Sequence, residues 1–87
     1  MSNVIMNIRV MPSGVDVDLN ELQEKIKEAL KGLVSGGLGF KQVPIAFGLK
    51  AVDIALVTSE ENGTKVEEAL KKVENIQSVN VQGVSLV

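Results

Sequence analysis

The chain predicts an α+β fold, a four-stranded antiparallel sheet carrying two helices on a single face. Three observations lead there. Two segments repeat apolar residues at three- and four-residue spacing, and four others carry strand signals. These segments alternate as strand, helix, strand, strand, helix, strand. The joints between them are short, with no linker, low-complexity tract or internal repeat, and 87 residues close one core but not two.

Val4, Met6, Ile8 and Val10 alternate with Ile5, Asn7 and Arg9, the period-two pattern of a strand with one strongly apolar face. Pro12, Ser13 and Gly14 break it. Asp18 stands three residues before Glu21, as in a capping box, and Val17 and Leu22 occupy the positions of a hydrophobic staple. Leu19, Leu22, Ile26, Leu30 and Leu33 then share one helical face, Glu21 and Lys25 form an i,i+4 pair, and Gly32 with Gly36-Gly37 ends the helix.

Phe40 to Phe47 reads as the second strand. Pro44 inside it cannot donate to a ladder, so the strand belongs on an edge. Gly48 turns the chain into a third strand, Leu49 to Thr58. There Val52, Ile54 and Leu56 point one way, and Ala51, Asp53 and Ala55 point to a partly exposed face where Asp53 can pair across the sheet with Arg9. Glu60 to Gly63 reads as a polar loop, and Thr64 with Glu67 as a second capping box. Val66, Ala69, Leu70 and Val73 form the apolar face of the second helix, which Asn75 stops. Gln77 to Leu86 is the last strand. Val79 and Val81 differ in parity from Val84 and Leu86, which places a bulge near Gln82-Gly83.

Right-handed crossovers turn this order into a ferredoxin-like βαββαβ sandwich, with the first and third strands central and the Pro44 strand outermost. The Phe47-Gly48 turn and the end of the last strand then fall at opposite ends of the sheet. A strand of about seven residues separates them by ~20–25 Å.

Composition closes several chemistries. Nine basic against eleven acidic residues leave a net charge of −2, and there is no histidine or cysteine. That excludes zinc fingers, iron–sulfur ligation, thiol nucleophiles and histidine-based triads, and no cofactor is expected. Two aromatics, Phe40 and Phe47, on an acidic chain argue against base stacking and direct nucleic-acid binding. The longest uncharged run, Asn75 to Val87, falls short of the ~20 apolar residues of a membrane span, and the N-terminus has no basic opening segment. The expectation is a cytoplasmic protein. Asp16 and Asp18 read as a solvated acid and a helix cap rather than a cation site. Glu60 and Glu61 read as solvated loop residues, and Lys50 as a strand-end lysine or part of a contact patch. Phe47, at the turn among Pro44, Ile45, Ala46, Gly48 and Leu49, either tucks under the hairpin or protrudes as an anchor for a partner's pocket.

Val81-Gln82-Gly83-Val84 resembles a motif of acylphosphatases, but in those enzymes it follows the first strand and leads into Phe-Arg; here it leads into Ser85-Leu86-Val87. A second resemblance spans essentially the whole chain. Pro44-Ile45-Ala46-Phe47-Gly48-Leu49 followed by Lys50-Ala51-Val52-Asp53 resembles the hallmark segment of the archaeal translation elongation factor 1-beta family. Asn7-Ile8-Arg9-Val10-Met11-Pro12 with Asp16-Val17-Asp18-Leu19, and Gln77-Ser78-Val79-Asn80-Val81, are similar to that family as well.

The resemblance implies a non-enzymatic guanine-nucleotide exchange factor. Its partner would be elongation factor 1-alpha, the GTPase that delivers aminoacyl-tRNA, bound in its GDP and nucleotide-free forms. It implies that Phe47 docks on the partner, with Ile45, Gly48 and Leu49 shaping its surroundings. Val84, Leu86 and Val87 would come nearest the nucleotide. Leu86 stands where eukaryotic relatives carry a lysine, so it would act as an apolar wedge, and Leu86→Lys should raise exchange if the ammonium matters. A monomer is expected. The alternatives are a small regulatory ligand-binding or oligomerisation module of the same fold, and a single-stranded RNA binder. The latter would need aromatics where the central strands offer Met6, Ile8, Ala51 and Asp53.

Overall fold

The structure, a computed structural model, describes residues 2–86. Its elements are β1 (Asn3–Pro12), α1 (Leu19–Leu30), β2 (Leu38–Ala46), β3 (Leu49–Ser59), a 3₁₀ turn (Glu60–Asn62), α2 (Gly63–Lys71) and β4 (Ile76–Leu86). The strands form one sheet in the order β2-β3-β1-β4, every neighbouring pair antiparallel. This is the ferredoxin-like α+β arrangement, with Pro44 on an outer strand as its missing N–H requires.

The core lies between the helices and one sheet face. Val4, Met6, Ile8 and Val10 from β1 and Val52, Ile54 and Leu56 from β3 meet Leu22, Ile26 and Leu30 of α1 and Val66 and Leu70 of α2. Each fully buried aliphatic side chain contributes ~1.5–3 kcal/mol against leaving it in water. Thr58, also fully buried, donates its hydroxyl to the Leu33 carbonyl and ties the α1–β2 connection to the sheet.

Asp18 caps α1, its carboxylate accepting from the N–H groups of Asn20 and Glu21 at 3.0 and 3.3 Å. The helix ends at Leu30 rather than Leu33, because Gly32 turns the backbone at φ +85°. Leu33 still packs on the core from the connection that follows. Glu21 and Lys25 pair at 3.7 Å.

Around α2 the expectations change. Glu60–Asn62 is a 3₁₀ turn running straight into the helix, not a loop, and Thr64 sits inside α2. The Thr64–Glu67 capping box therefore does not form. Asn62, not Thr64, is the N-cap, no side chain caps the helix start, and Glu67 pairs instead with Lys71 at 3.2 Å. α2 ends at Lys71, four residues before Asn75. Asn75 adopts φ 68° at the turn into β4, and its carbonyl accepts the Ser13 N–H at 2.9 Å.

In β4, Gly83 lies opposite Asn7 and Val81 opposite Ile8, so Gln82 is the bulged residue. The bulge brings Val84, opposite Met6, and Leu86, opposite Val4, back onto the helix side with Val79 and Val81. On the other sheet face Asp53 is half-buried and Ala55 exposed, but Ala51, opposite Val43 on β2, is fully covered.

Candidate partner-docking site

Exposed large apolar residues gather mainly at the two ends of the sheet. At one end, β2 and β3 are joined by the two-residue turn Phe47-Gly48, with φ 53° and 79°. Two consecutive positive φ values are what a type I′ hairpin turn requires. Phe47 is thus a turn residue rather than the last residue of the strand, and its ring projects fully into solvent. Pro44 pairs with Lys50 and Ala46 with Leu49, so Ile45 is left unopposed in the ladder and 44% exposed. The β1–α1 connection places Val15, 66% exposed, at this same end. A cleft of about 320 Å³ runs between it and the turn, lined by Gly48, Lys50, Gln42 and Asp18. Sequence reasoning missed Val15. Its only signal is one large apolar side chain standing between Gly14 and Asp16 in a polar turn.

Val81, level with Ile8 at mid-sheet, and Val84 and Leu86 toward the other end form an exposed stripe on the helix side of β4. With Val4, Met6, Gly63 and Thr64 they line a groove of about 500 Å³. Val81 was not singled out from the sequence as a contact residue, because its exposure follows from the shortness of α2, nine residues against an eleven-residue strand. Val87 lies outside the described residues. Leu86 is level with Val4, and Leu49 lies three residues beyond the level of Val10. At ~3.3 Å per residue the two apolar ends are roughly 30 Å apart. This exceeds the ~20–25 Å expected from seven-residue strands, because β1, β3 and β4 have ten or eleven residues.

Between the ends, the open sheet face carries the Arg9–Asp53 pair. The Arg9 Nε and Nη2 groups donate to the two Asp53 carboxylate oxygens at 2.8 and 3.0 Å. These hydrogen bonds hold the Asp53 carboxyl below its ordinary range against the opposing cost of partial burial; the charges of Arg9 and Lys41 add to the effect. The same bonds raise the Arg9 guanidinium. A carboxylate depressed in the folded state stabilises the fold above its unfolded pKa of about 3.9, and that stabilisation is lost as pH falls through the folded value. Urea unfolding from pH 6 down to pH 3 is therefore expected to show the wild type converging on Asp53→Asn as acid removes the pair; a constant gap would refute the linkage. Among the described residues no group of three or more carboxylates, histidines or cysteines is placed to hold a metal ion, and no helix is long and apolar enough to cross a membrane.

The ferredoxin-like sandwich thus exposes an aromatic side chain at one end and an aliphatic stripe toward the other. Residues 5–87 match the EF-1 guanine nucleotide exchange domain, and the chain belongs to that family. Elongation factor 1-beta of Methanocella arvoryzae is 49% identical over 88 residues, covering 94% of this chain and 93% of the relative. That of Archaeoglobus fulgidus is 41% identical with both chains covered in full, and that of Pyrococcus horikoshii 38% identical over 98% of this chain and 96% of its own. The family is one of nucleotide exchange factors of elongation factor 1. The acylphosphatase-like tetrapeptide spans the bulge of β4, in the last strand rather than after the first, and the neighbouring Arg9 on β1 is engaged by Asp53.

Proposed function

We propose that the chain accelerates GDP/GTP exchange on elongation factor 1-alpha purely by protein–protein contact. The observation that carries this reading is a fully exposed phenylalanine at one end of a stiff sheet whose far end exposes Val84 and Leu86. Phe47, flanked by Ile45, Gly48 and Leu49, enters a pocket on one lobe of the GTPase, where burying the ring supplies ~2–3 kcal/mol. Val84 and Leu86 reach the second lobe beside the nucleotide. An aliphatic side chain cannot replace a dication, so Leu86 acts by shape. It occupies space that the nucleotide-binding loops fill when GDP is held tightly.

The factor binds the GDP form, favours the nucleotide-free state and leaves when GTP rebinds. A thousandfold acceleration of release requires ~4 kcal/mol of preferential binding to the transition state for release. Two apolar contacts held a fixed distance apart supply energy of that order, because the sheet between them needs no ordering on binding.

Stopped-flow release of a fluorescent GDP from the GTPase tests this directly. Release is expected to accelerate at least a hundredfold at saturating factor, ~2.7 kcal/mol off the barrier; an unchanged rate overturns the reading. Leu86→Asp is expected to lower the saturating rate about tenfold or more with little change in the half-saturating concentration, since the Phe47 contact remains.

A further inference from the structure

The start of α2 is loosely fastened, and it carries a dipeptide with chemistry of its own. Glu60–Asn62 buries no side chain, and neither Ser59 before it nor Asn62 at its end caps a backbone N–H with its side chain. The first buried residue of the helix is Val66. The backbone ties here include the Gly63 N–H donating to the Glu60 carbonyl, and the Glu60 N–H donating to the Ser2 carbonyl at 3.2 Å. Such a segment can open while the core beneath stays packed, at the low end of the range of local opening energies.

Within it lies Asn62-Gly63. Asn3, Asn7, Asn20, Asn75 and Asn80 each precede Val, Ile or Glu; Asn62 alone precedes glycine. Neither conformation nor packing requires that glycine. Its φ of −55° and ψ of −47° are helical values open to any L-residue, and a Cβ there would meet Met6 Sδ at 3.8 Å, an ordinary contact. The missing side chain does leave the Gly63 nitrogen unhindered beside the Asn62 carboxamide, on a backbone free to turn. The folded conformation opposes their reaction. Asn62 sits at φ −91° and ψ −5°, and the Gly63 N–H is bonded to Glu60. Ring closure requires that peptide to rotate and that N–H to lose its proton, so the bond to Glu60 must break first.

We infer that Asn62 is a site of spontaneous modification, reached through local opening of the helix start and not through unfolding of the domain. The Gly63 nitrogen gives up its proton to solvent base and attacks Cγ of Asn62. The bond from Cγ to the amide nitrogen breaks, and ammonia leaves with a proton taken from water. Water then adds to either carbonyl of the cyclic imide and cleaves its C–N bond, giving aspartate at one carbonyl and isoaspartate at the other. One water is consumed in net terms for each ammonia released, with no change of oxidation state. Either product adds a negative charge beside Glu60 and Glu61. Isoaspartate also routes the main chain through the side-chain methylene, so the 3₁₀ turn no longer joins α2 in register. Gly63 and Thr64 line the groove with Val84 and Leu86, and the change falls on that end of the molecule.

The test incubates the full chain in mildly alkaline buffer well below its thermal midpoint and follows every asparagine by peptide mass spectrometry. Conversion is expected at Asn62 ahead of the others, with isoaspartate identified by methyl transfer from a protein isoaspartyl methyltransferase. Gly63→Ala hinders the approach with a Cβ and restricts the backbone, and is expected to slow conversion about tenfold or more. Ile54→Ala removes core packing without touching the helix start, so local opening predicts an unchanged rate. If that variant does not fold, wild-type rates in urea below the unfolding transition serve instead, and are expected to stay flat.

An Asn62 that stays intact in the folded chain while the urea-unfolded chain converts overturns the proposal. So does a Gly63→Ala rate equal to that of the wild type. A rate that climbs with Ile54→Ala or with urea routes the reaction through global unfolding and likewise overturns it. The isoaspartyl form, separable by its added charge, is expected to lose amide-exchange protection in α2 while β1 and β3 keep theirs; equal protection in both forms overturns the stated effect on the groove end.

Discussion

Phe47→Ala is expected to weaken docking on the GTPase about 30- to 150-fold, the equivalent of ~2–3 kcal/mol, while leaving the isolated domain as stable as before. The ring touches no core, so its removal opens no cavity. The backbone sharpens the argument. Phe47 sits at φ 53°, a left-handed conformation that costs a bulky L-residue roughly 1–2 kcal/mol, and Gly48 follows at φ 79°. Asn-Gly is the pair such a turn favours. Phe47→Asn should therefore raise the thermal midpoint while weakening docking as severely as alanine does. Opposite movements of the two readouts mark a residue held in a strained turn for the sake of what it touches outside the molecule. If Phe47→Asn left the half-saturating concentration of stimulated nucleotide release unaltered, the anchor would lie elsewhere.

The features that were legible in the chain are those whose cause is local. Pro44 announces an edge because one missing N–H acts wherever the strand sits. The change of parity between Val81 and Val84 announces the bulge because side-chain alternation can be interrupted only by an extra residue. Arg9 and Asp53 could be paired from sequence because both lie on the less apolar parity of adjacent central strands.

What was not legible depended on neighbours in space. Thr64 and Glu67 carry a capping signature, but the preceding 3₁₀ turn had already supplied the helix start. Phe47 has no preference for a left-handed turn; the hairpin's two-residue connection imposes it. Ala51 reads as half-exposed until the sheet sets Val43 beside it. Val15 and Val81 gain meaning only once the fold shows what fails to cover them.

Ile54→Ala is expected to have the largest effect on stability, because its side chain lies at the centre of the core between the two apolar ends. Ile54 is 1% exposed and stands between Ile8 on β1 and Phe40 on β2. Truncating a buried isoleucine costs ~2–5 kcal/mol, part lost transfer energy and part the cavity that neighbouring strands cannot collapse to fill. A domain of this length commands only ~4–13 kcal/mol in total. A loss near 3 kcal/mol lowers the midpoint by about 12–24 °C, at 4–8 °C per kcal/mol. Ile45→Ala, the same truncation at the exposed hairpin end, should move it by no more than a few degrees. Well below its lowered midpoint, the Ile54→Ala domain should still stimulate nucleotide release at the wild-type concentration, since neither end has changed. A midpoint drop under about 4 °C would mean that Ile54 does not fill the core. A midpoint loss accompanied by weaker docking at low temperature would mean that the spacing of the ends, and not only their chemistry, depends on the packing beneath β3.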